Sequence, residues 1–369
     1  VQGSSQAQGV SEAPTPNHGH FVPLVFSLVL KLTMGDNGSG AGVEQEGSSG
    51  GGETLRAGTA EISSAQFFTV KPSELHVRSL LGSGAQADVY KAEWTRAFAA
   101  TTSTIVVAVK RLHLDLGAMY RDREAITLLT DHPNLVKCFD STVDPPYLVV
   151  TEFCAGGSLF DLLYNSKQQL TTRQIVKILV DVAAGMRCLH THKPCILHRD
   201  LKSSNVLLTK PIRSPAQEPF AKVADFGLAR TTEDLQLSWA HMTVGVGTWR
   251  WMAPEVFEME ENTNYNERID VFSFAMLMYE MMVRKLPYCD QFPTESSDPR
   301  IGLAICMGLR PDVAHLEHAP VMIDIMKQAW SAEPGERPTF EAIEDELRKL
   351  LATLPPPAMD ASGSGLPHY

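Results

Sequence analysis

An α+β fold in two lobes, a small β-rich one followed by a larger helical one, is what the sequence predicts. Apolar runs of high β-propensity dominate to about residue 153, among them Val107-Ala108-Val109-Lys110 and Tyr147-Leu148-Val149-Val150. Helical periodicity takes over afterwards. Ile175, Ile178, Leu179, Val182, Met186 and Leu189 stand at i, i+3, i+4, i+7, i+11 and i+14 and so share one helix face. Punctuation at both ends is the third observation. Residues 1–60 include runs such as Gly47-Ser48-Ser49-Gly50-Gly51-Gly52, which cannot bury a core, and residues 355–369 open on Pro355-Pro356-Pro357. Both segments are expected to be disordered. With 369 residues the chain has room for one large domain or two lobes of ordinary size.

Taken in order, the first candidate element is the turn Leu81-Gly82-Ser83-Gly84-Ala85-Gln86-Ala87-Asp88-Val89. Gly82 and Gly84 let the backbone approach an anion with no Cβ in the way. The strand ending in Lys110 follows, then Tyr120-Arg121-Asp122-Arg123-Glu124-Ala125-Ile126, read as a helix, and the loop His132-Pro133-Asn134-Leu135-Val136. A buried strand at 147–151 runs into the exposed segment Glu152-Phe153-Cys154. Thr171 with Gln174 makes a capping box for the periodic helix, and Phe340, Ile343, Leu347 and Leu350 mark a second helical stripe. Pro211, Pro215 and Pro219 identify 209–220 as a loop, and 92–106 is expected to be a surface hairpin.

The chemistry lies between these elements. His198-Arg199-Asp200-Leu201-Lys202-Ser203-Ser204-Asn205 is followed by Asp225-Phe226-Gly227. Phosphoryl transfer needs a carboxylate to receive the acceptor hydroxyl's proton, oxygen ligands for magnesium, and cations that hold phosphates in line. Asp200, Asn205, Asp225 and Lys202 are side chains of those kinds.

These two segments resemble the catalytic loop and the metal-binding turn of a protein kinase. The resemblance covers roughly residues 75–351 and implies a bilobal kinase domain, with an N-lobe at about 75–153 and a C-lobe at about 154–351. It implies ATP and Mg2+ as cofactors. Asp200 would accept the proton, Lys202 would stabilise the γ-phosphoryl group, and Asn205 and Asp225 would hold the metal. Lys110 would grip the α- and β-phosphates, oriented by Glu124. Leu81, Gly82 and Gly84 belong to the glycine-rich loop, which departs from the family pattern at Ala87. Leu81, Val89, Ala108 and Leu207 would sandwich the adenine, Thr151 would stand as gatekeeper, and the Glu152 and Cys154 backbones would bond its edge. Gly247-Thr248-Trp249-Arg250-Trp251-Met252-Ala253-Pro254-Glu255 resembles the substrate-side loop. By the same resemblance Asp270 is a buried anchor and Arg337 pairs with Glu255.

Lys202 two residues after Asp200, and Gly247-Thr248 before the Ala-Pro-Glu run, are features of serine/threonine kinases. Thr248 is expected to touch both Asp200 and Lys202. The strings H-R-D-L-K-S-S-N and G-T-W-R-W-M-A-P-E look most like the tyrosine-kinase-like group, which includes mixed-lineage and Raf-like serine/threonine kinases. Two alternatives share these residues: a pseudokinase acting as a signalling scaffold, and a dual-specificity kinase. Protein substrates are the implied partners, with an upstream kinase acting on Thr231, Thr232, Ser238 or Thr243, above all Ser238 or Thr243, to neutralise Arg199.

A formal charge of −11 with no Lys/Arg-rich run argues against nucleic acid as a partner. Cys138, Cys154, Cys188, Cys195, Cys289 and Cys306 stand at irregular spacings with no C-x-x-C, which suits reduced thiols in a cytoplasmic protein. Phe21 to Leu32 is apolar apart from Ser27 and Lys31 but too short to span a bilayer, so no transmembrane span is expected. If Met34 is the true start, Met34-Gly35-Asp36-Asn37-Gly38-Ser39 formally fits a myristoylation motif, with Asp36 unfavourable to it.

Overall fold

A computed structural model describes residues 70–84, 87–98, 101–113, 131–142, 145–231, 249–257, 266–293, 299–314, 316 and 320–357. All lie within one unit of the chain, Leu55–Tyr369. Five strands form an antiparallel sheet in the order β1-β2-β3-β5-β4: β1 (Leu75–Ser83), β2 (Ala87–Phe98), β3 (Thr101–Leu112), β4 (Cys138–Ser141) and β5 (Leu148–Glu152). β2 and β3 stay in register from Ala87↔Leu112 to Phe98↔Thr101, so the stretch 92–106 is the outer part of one long hairpin.

Side chains alternate across a strand, and directly opposed residues share a face. One face of the sheet therefore closes over Ala92, Trp94, Val107, Val109, Leu148 and Val150, a core of their own. The register pairs Val89 with Lys110, Lys110 with Val149, and Ala108 with Thr151, which puts all five on the other face. That face looks toward the second lobe.

The helical lobe is built around α3. Its helices are α1 (Thr172–Thr191), α2 (Pro254–Phe257), α3 (Arg268–Val283), α4 (Pro299–Cys306), α5 (Pro320–Ala329) and α6 (Phe340–Thr353), with short strands β6 (Ile196–Leu197), β7 (Val206–Leu208), β8 (Ala221–Val223) and β9 (Arg230–Thr231). Every residue of α3 from Ile269 to Met281 is buried, as expected of a helix apolar on all sides. Both arms of the Thr171–Gln174 capping box are made. The predicted stripe of α1 is buried apart from half-buried Ile175, and Val176, Val180 and Ala183 are buried too. The helix is covered from two sides, by α6 and by β8, so one stripe understates its burial.

The loop 209–220 joins β7 to β8 and is fastened to α1. Gln174 Nε2 donates to the carbonyls of Ser214 (3.0 Å) and Gln217 (2.7 Å), and Asp181 accepts from the Ala221 amide (3.0 Å). The connection between lobes leans on the same strand. The Gly156 amide donates to the Leu208 carbonyl at 2.9 Å, and a Cβ on Gly156 would lie 2.5 Å from the Lys210 carbonyl oxygen. These obstacles are backbone atoms that cannot rotate away. Gly156→Ala is expected to cost about 2–3 kcal/mol, the range of an overpacked site. Urea denaturation measures it, and unchanged stability would mean that the segment moves aside freely.

Candidate active site

Asp270, at the start of α3, shapes the catalytic loop from beneath. Its carboxylate accepts the backbone amides of His198 and Arg199, each at 2.8 Å, and lies 2.9 Å from His190 Nε2. Burial works to raise this carboxyl, but the His190 hydrogen bond and charge, with His198 and the Arg199 amide, hold it below the usual carboxylate range. The two amide bonds steady Arg199 at φ 69°, a left-handed conformation that a long side chain rarely adopts. His198 is fully buried, edge-on to Phe226 with ring centroids 5.2 Å apart.

This bend delivers Asp200 into the cleft. Its Oδ2 accepts from Asn205 Nδ2 and sits opposite Lys202 Nζ, both at 2.9 Å, while Asn205 Nδ2 also reaches the Asp200 carbonyl at 2.7 Å. Oδ1 of Asp200 is buried and has no hydrogen-bond partner among the described residues. A buried carboxylate oxygen normally has a donor, so this atom is set up to accept one.

The Ala224 amide donates to the Asn205 carbonyl at 2.8 Å and brings Asp225 alongside Asn205. Asp225 also has a left-handed backbone, φ 64°. Its Oδ1 accepts from Lys110 Nζ at 2.6 Å, across from the strand-rich lobe. Lys110, Asp200, Lys202, Asn205 and Asp225, the five residues expected to do the chemistry, therefore converge from β3, the catalytic loop and the turn after β8.

Above them stand half-buried Val89, Ala108 and Thr151, with Leu81 exposed at the rim and half-buried Leu207 of β7 below. A Cβ on Gly82 would meet nothing within 4 Å, and neither Gly82 nor Gly84 has positive φ, so these glycines clear space and are not required by the backbone angle. Ala87 lies in β2, buried and paired with Leu112. The turn is closed by the Gly84 amide on the Ala87 carbonyl (2.9 Å) and the Ser83 hydroxyl on Asp88 (2.5 Å). At the lobe connection the Glu152 amide donates to the Lys137 carbonyl at 2.9 Å, and the Thr151 hydroxyl reaches the Glu152 carbonyl at 3.5 Å. Cys154 is buried, and its thiol is pushed up to about 12 by burial and then by the Glu152 charge, so it stays protonated at neutral pH.

Glu124, Gly247 and Thr248 lie outside the described residues, as do Thr232, Ser238 and Thr243; Thr231 belongs to β9. Two other residues at the site were not anticipated. Lys222 pairs with the Glu152 carboxylate at 2.6 Å, and nothing local marks it. Glu280, buried in α3, accepts from Ser203 Oγ (2.5 Å), Tyr164 OH (3.1 Å) and Trp251 Nε1 (3.1 Å). Burial pushes its carboxyl up to about 7 against those bonds. A carboxylate in so apolar a helix was the available signal.

The profile of the family described as protein tyrosine and serine/threonine kinase matches residues 75–347. The serine/threonine-protein kinase STY46 of Arabidopsis thaliana is 32% identical over 271 residues, 73% of this chain and 43% of that protein. CTR1, a serine/threonine-protein kinase of the same plant, is 33% identical over 292 residues, 77% of this chain and 32% of its own length. The serine/threonine-protein kinase TNNI3K of Mus musculus is 31% identical over 308 residues, 80% of this chain and 34% of its length. The chain thus spans less than half of each of these relatives. With three quarters of its length matched and the catalytic-loop and metal-turn residues converging on one cleft, the chain belongs to the protein tyrosine and serine/threonine kinase family.

Proposed function

We propose that this chain transfers the γ-phosphoryl group of MgATP to serine and threonine hydroxyls of protein substrates. The observation that carries this reading is Asp200 Oδ1, a buried acceptor with no hydrogen-bond partner among the described residues, while Lys202 and Asn205 steady the other oxygen. An incoming hydroxyl would give its proton to Oδ1 as its oxygen bonds to the γ-phosphorus. The bond from that phosphorus to the bridging oxygen breaks, and ADP leaves with the electron pair. Lys202 faces the transferring group, and Lys110, placed by β3, holds the α- and β-phosphates with Glu124 as its orienting partner.

Asn205 and Asp225 offer hard oxygen ligands side by side, which suits magnesium. Among the described residues no group of three or more His, Cys, Asp or Glu could hold a metal alone, so phosphate and water oxygens would complete its shell. Magnesium bound there supplies charge neutralisation on the phosphates. Leu81, Val89, Ala108, Leu207 and Thr151 form the adenine slot beside Gly82 and Gly84, with the Glu152 carbonyl and the Cys154 amide at its edge. The kinase domain is taken as residues 75–351.

The choice of serine and threonine rests on Lys202 and on the names of the relatives. No helix among the described residues is long and apolar enough to cross a membrane. Arg199, beside Asp200, is the cation that an upstream kinase would engage by phosphorylating Ser238 or Thr243. Transfer of labelled γ-phosphate from MgATP to a mixed protein substrate tests the reading. Asp200→Asn should lower it by about 10²–10⁴-fold, the usual worth of a general base, with label on serine or threonine. Equal transfer by both proteins would remove Asp200 from its role.

A further inference from the structure

Glu280 presents an energetic question. A buried carboxylate costs several kcal/mol unless its oxygens are fully hydrogen-bonded, and an apolar side chain of similar size would fill the space more cheaply. Its bonds therefore matter more than its bulk. They come from three separate segments of the chain.

Ser203 lies three residues after Asp200 in the turn Ser203–Asn205, with Lys202 and Asn205 close on either side. Trp251 belongs to the turn Trp249–Trp251 that leads into α2, on the substrate side. Tyr164 belongs to Asp161–Asn165, the first helical turn after the lobe connection. Oε1 takes the Ser203 and Tyr164 hydroxyls together, and Oε2 takes the Trp251 ring. The anchoring of Asp161–Asn165 is reinforced four residues beyond Glu280. Arg284, itself left-handed at φ 54°, donates to the carbonyls of Leu162, Leu163, Ser166 and Gln168 at 2.6–3.2 Å.

We infer that Glu280 is a positioning residue for phosphoryl transfer, holding the catalytic-loop turn at Ser203 in register with the substrate-side turn at Trp251 and the hinge-side turn at Tyr164. This rests on the reading of Asp200, Lys202 and Asn205 as the transfer machinery. Ser203 is the arm that acts on chemistry, because shifting it moves Lys202 and Asn205 directly. Tyr164 acts on the nucleotide side, and Trp251 on the acceptor side.

The test removes one donor at a time and leaves the carboxylate in place, since a change at Glu280 itself risks the fold. Ser203→Ala should lower kcat about tenfold, the effect of losing one hydrogen bond to a charged group, with KM for ATP within about twofold. Ser203→Thr, which restores the hydroxyl, should recover most of the loss. Tyr164→Phe should raise KM for ATP about threefold and change kcat less. Amide hydrogen exchange across residues 199–206 is read in parallel, and Ser203→Ala should quicken it there while exchange in β2 and β3 stays at the wild-type rate. Unchanged kcat with unchanged exchange in Ser203→Ala would overturn the inference. If the wild type transfers no phosphate, the functional reading fails on that count, and the exchange data alone decide whether Glu280 holds the loop.

Discussion

Asp225→Ala is expected to abolish phosphoryl transfer, to below about one part in 10³ of the wild type, as several kcal/mol of metal-borne charge stabilisation disappears. The side chain takes Lys110 Nζ at 2.6 Å, so on the proposed reading its loss would remove a metal ligand and disturb the phosphate-gripping cation together. A conformational effect accompanies the chemical one. At φ 64° an aspartate is tolerated better than alanine, whose left-handed backbone costs roughly 1–2 kcal/mol. Asp225→Asn separates the two, because asparagine accepts that conformation and keeps an oxygen but not the charge. Both variants should melt within a few degrees of the wild type, with MgATP no longer raising the melting temperature of Asp225→Ala. Retention of more than about a tenth of the activity by Asp225→Ala would show that phosphate is neutralised elsewhere.

How far such residues could be read from sequence depended on whether their partners are local. Asp200, Lys202 and Asn205 lie within six positions, and Asp225 follows twenty later, so the resemblance to a kinase catalytic loop and metal-binding turn was legible in two short local strings. That Lys110 meets Asp225 could not come from spacing, since the sheet register and the lobe connection bring them together across 115 positions. Gln174 shows the limit within one side chain. Its Oε1 takes the Thr171 amide, a contact three residues away that the capping-box pattern encodes. Its Nε2 reaches the carbonyls of Ser214 and Gln217, a contact that no local pattern encodes. The prolines announced a loop at 209–220 without saying that it would be fastened to α1. Glu280 and Lys222 were missed for the same reason, each defined by partners at least 29 and 70 positions away. The periodicity of α1 gave the inward face correctly, but burial by both α6 and β8 depends on where those elements fold.

Arg337→Ala should be the most destabilising substitution in the helical lobe, by about 3–5 kcal/mol, the range for breaking a buried ion pair from one side. The guanidinium is buried and donates to Glu255 through both terminal nitrogens, at 2.6 and 2.8 Å. It also serves the carbonyls of Ser331 (2.9 Å) and Arg268 (3.1 Å) and lies over the Phe272 ring, 5.3 Å from its centroid. Alanine would leave a carboxylate and the carbonyls of Ser331, Arg268 and Ala332 poorly solvated and open a cavity beside α3. Arg337→Lys keeps the charge but not the fork, and should lose part of the same stability. Replacing both partners by leucine should cost less than Arg337→Ala alone, because no buried charge is left behind. Urea denaturation of the four proteins measures this, and a loss under about 1 kcal/mol for Arg337→Ala would reduce the pair to a surface contact. The functional consequence follows from where Glu255 sits. It is the second residue of α2, directly after the turn that carries Trp251, and far along the chain from the β3 lysine. On the proposed reading of the turn before α2 as the substrate side, acceptor KM should rise before MgATP binding weakens under conditions where the variant is still folded.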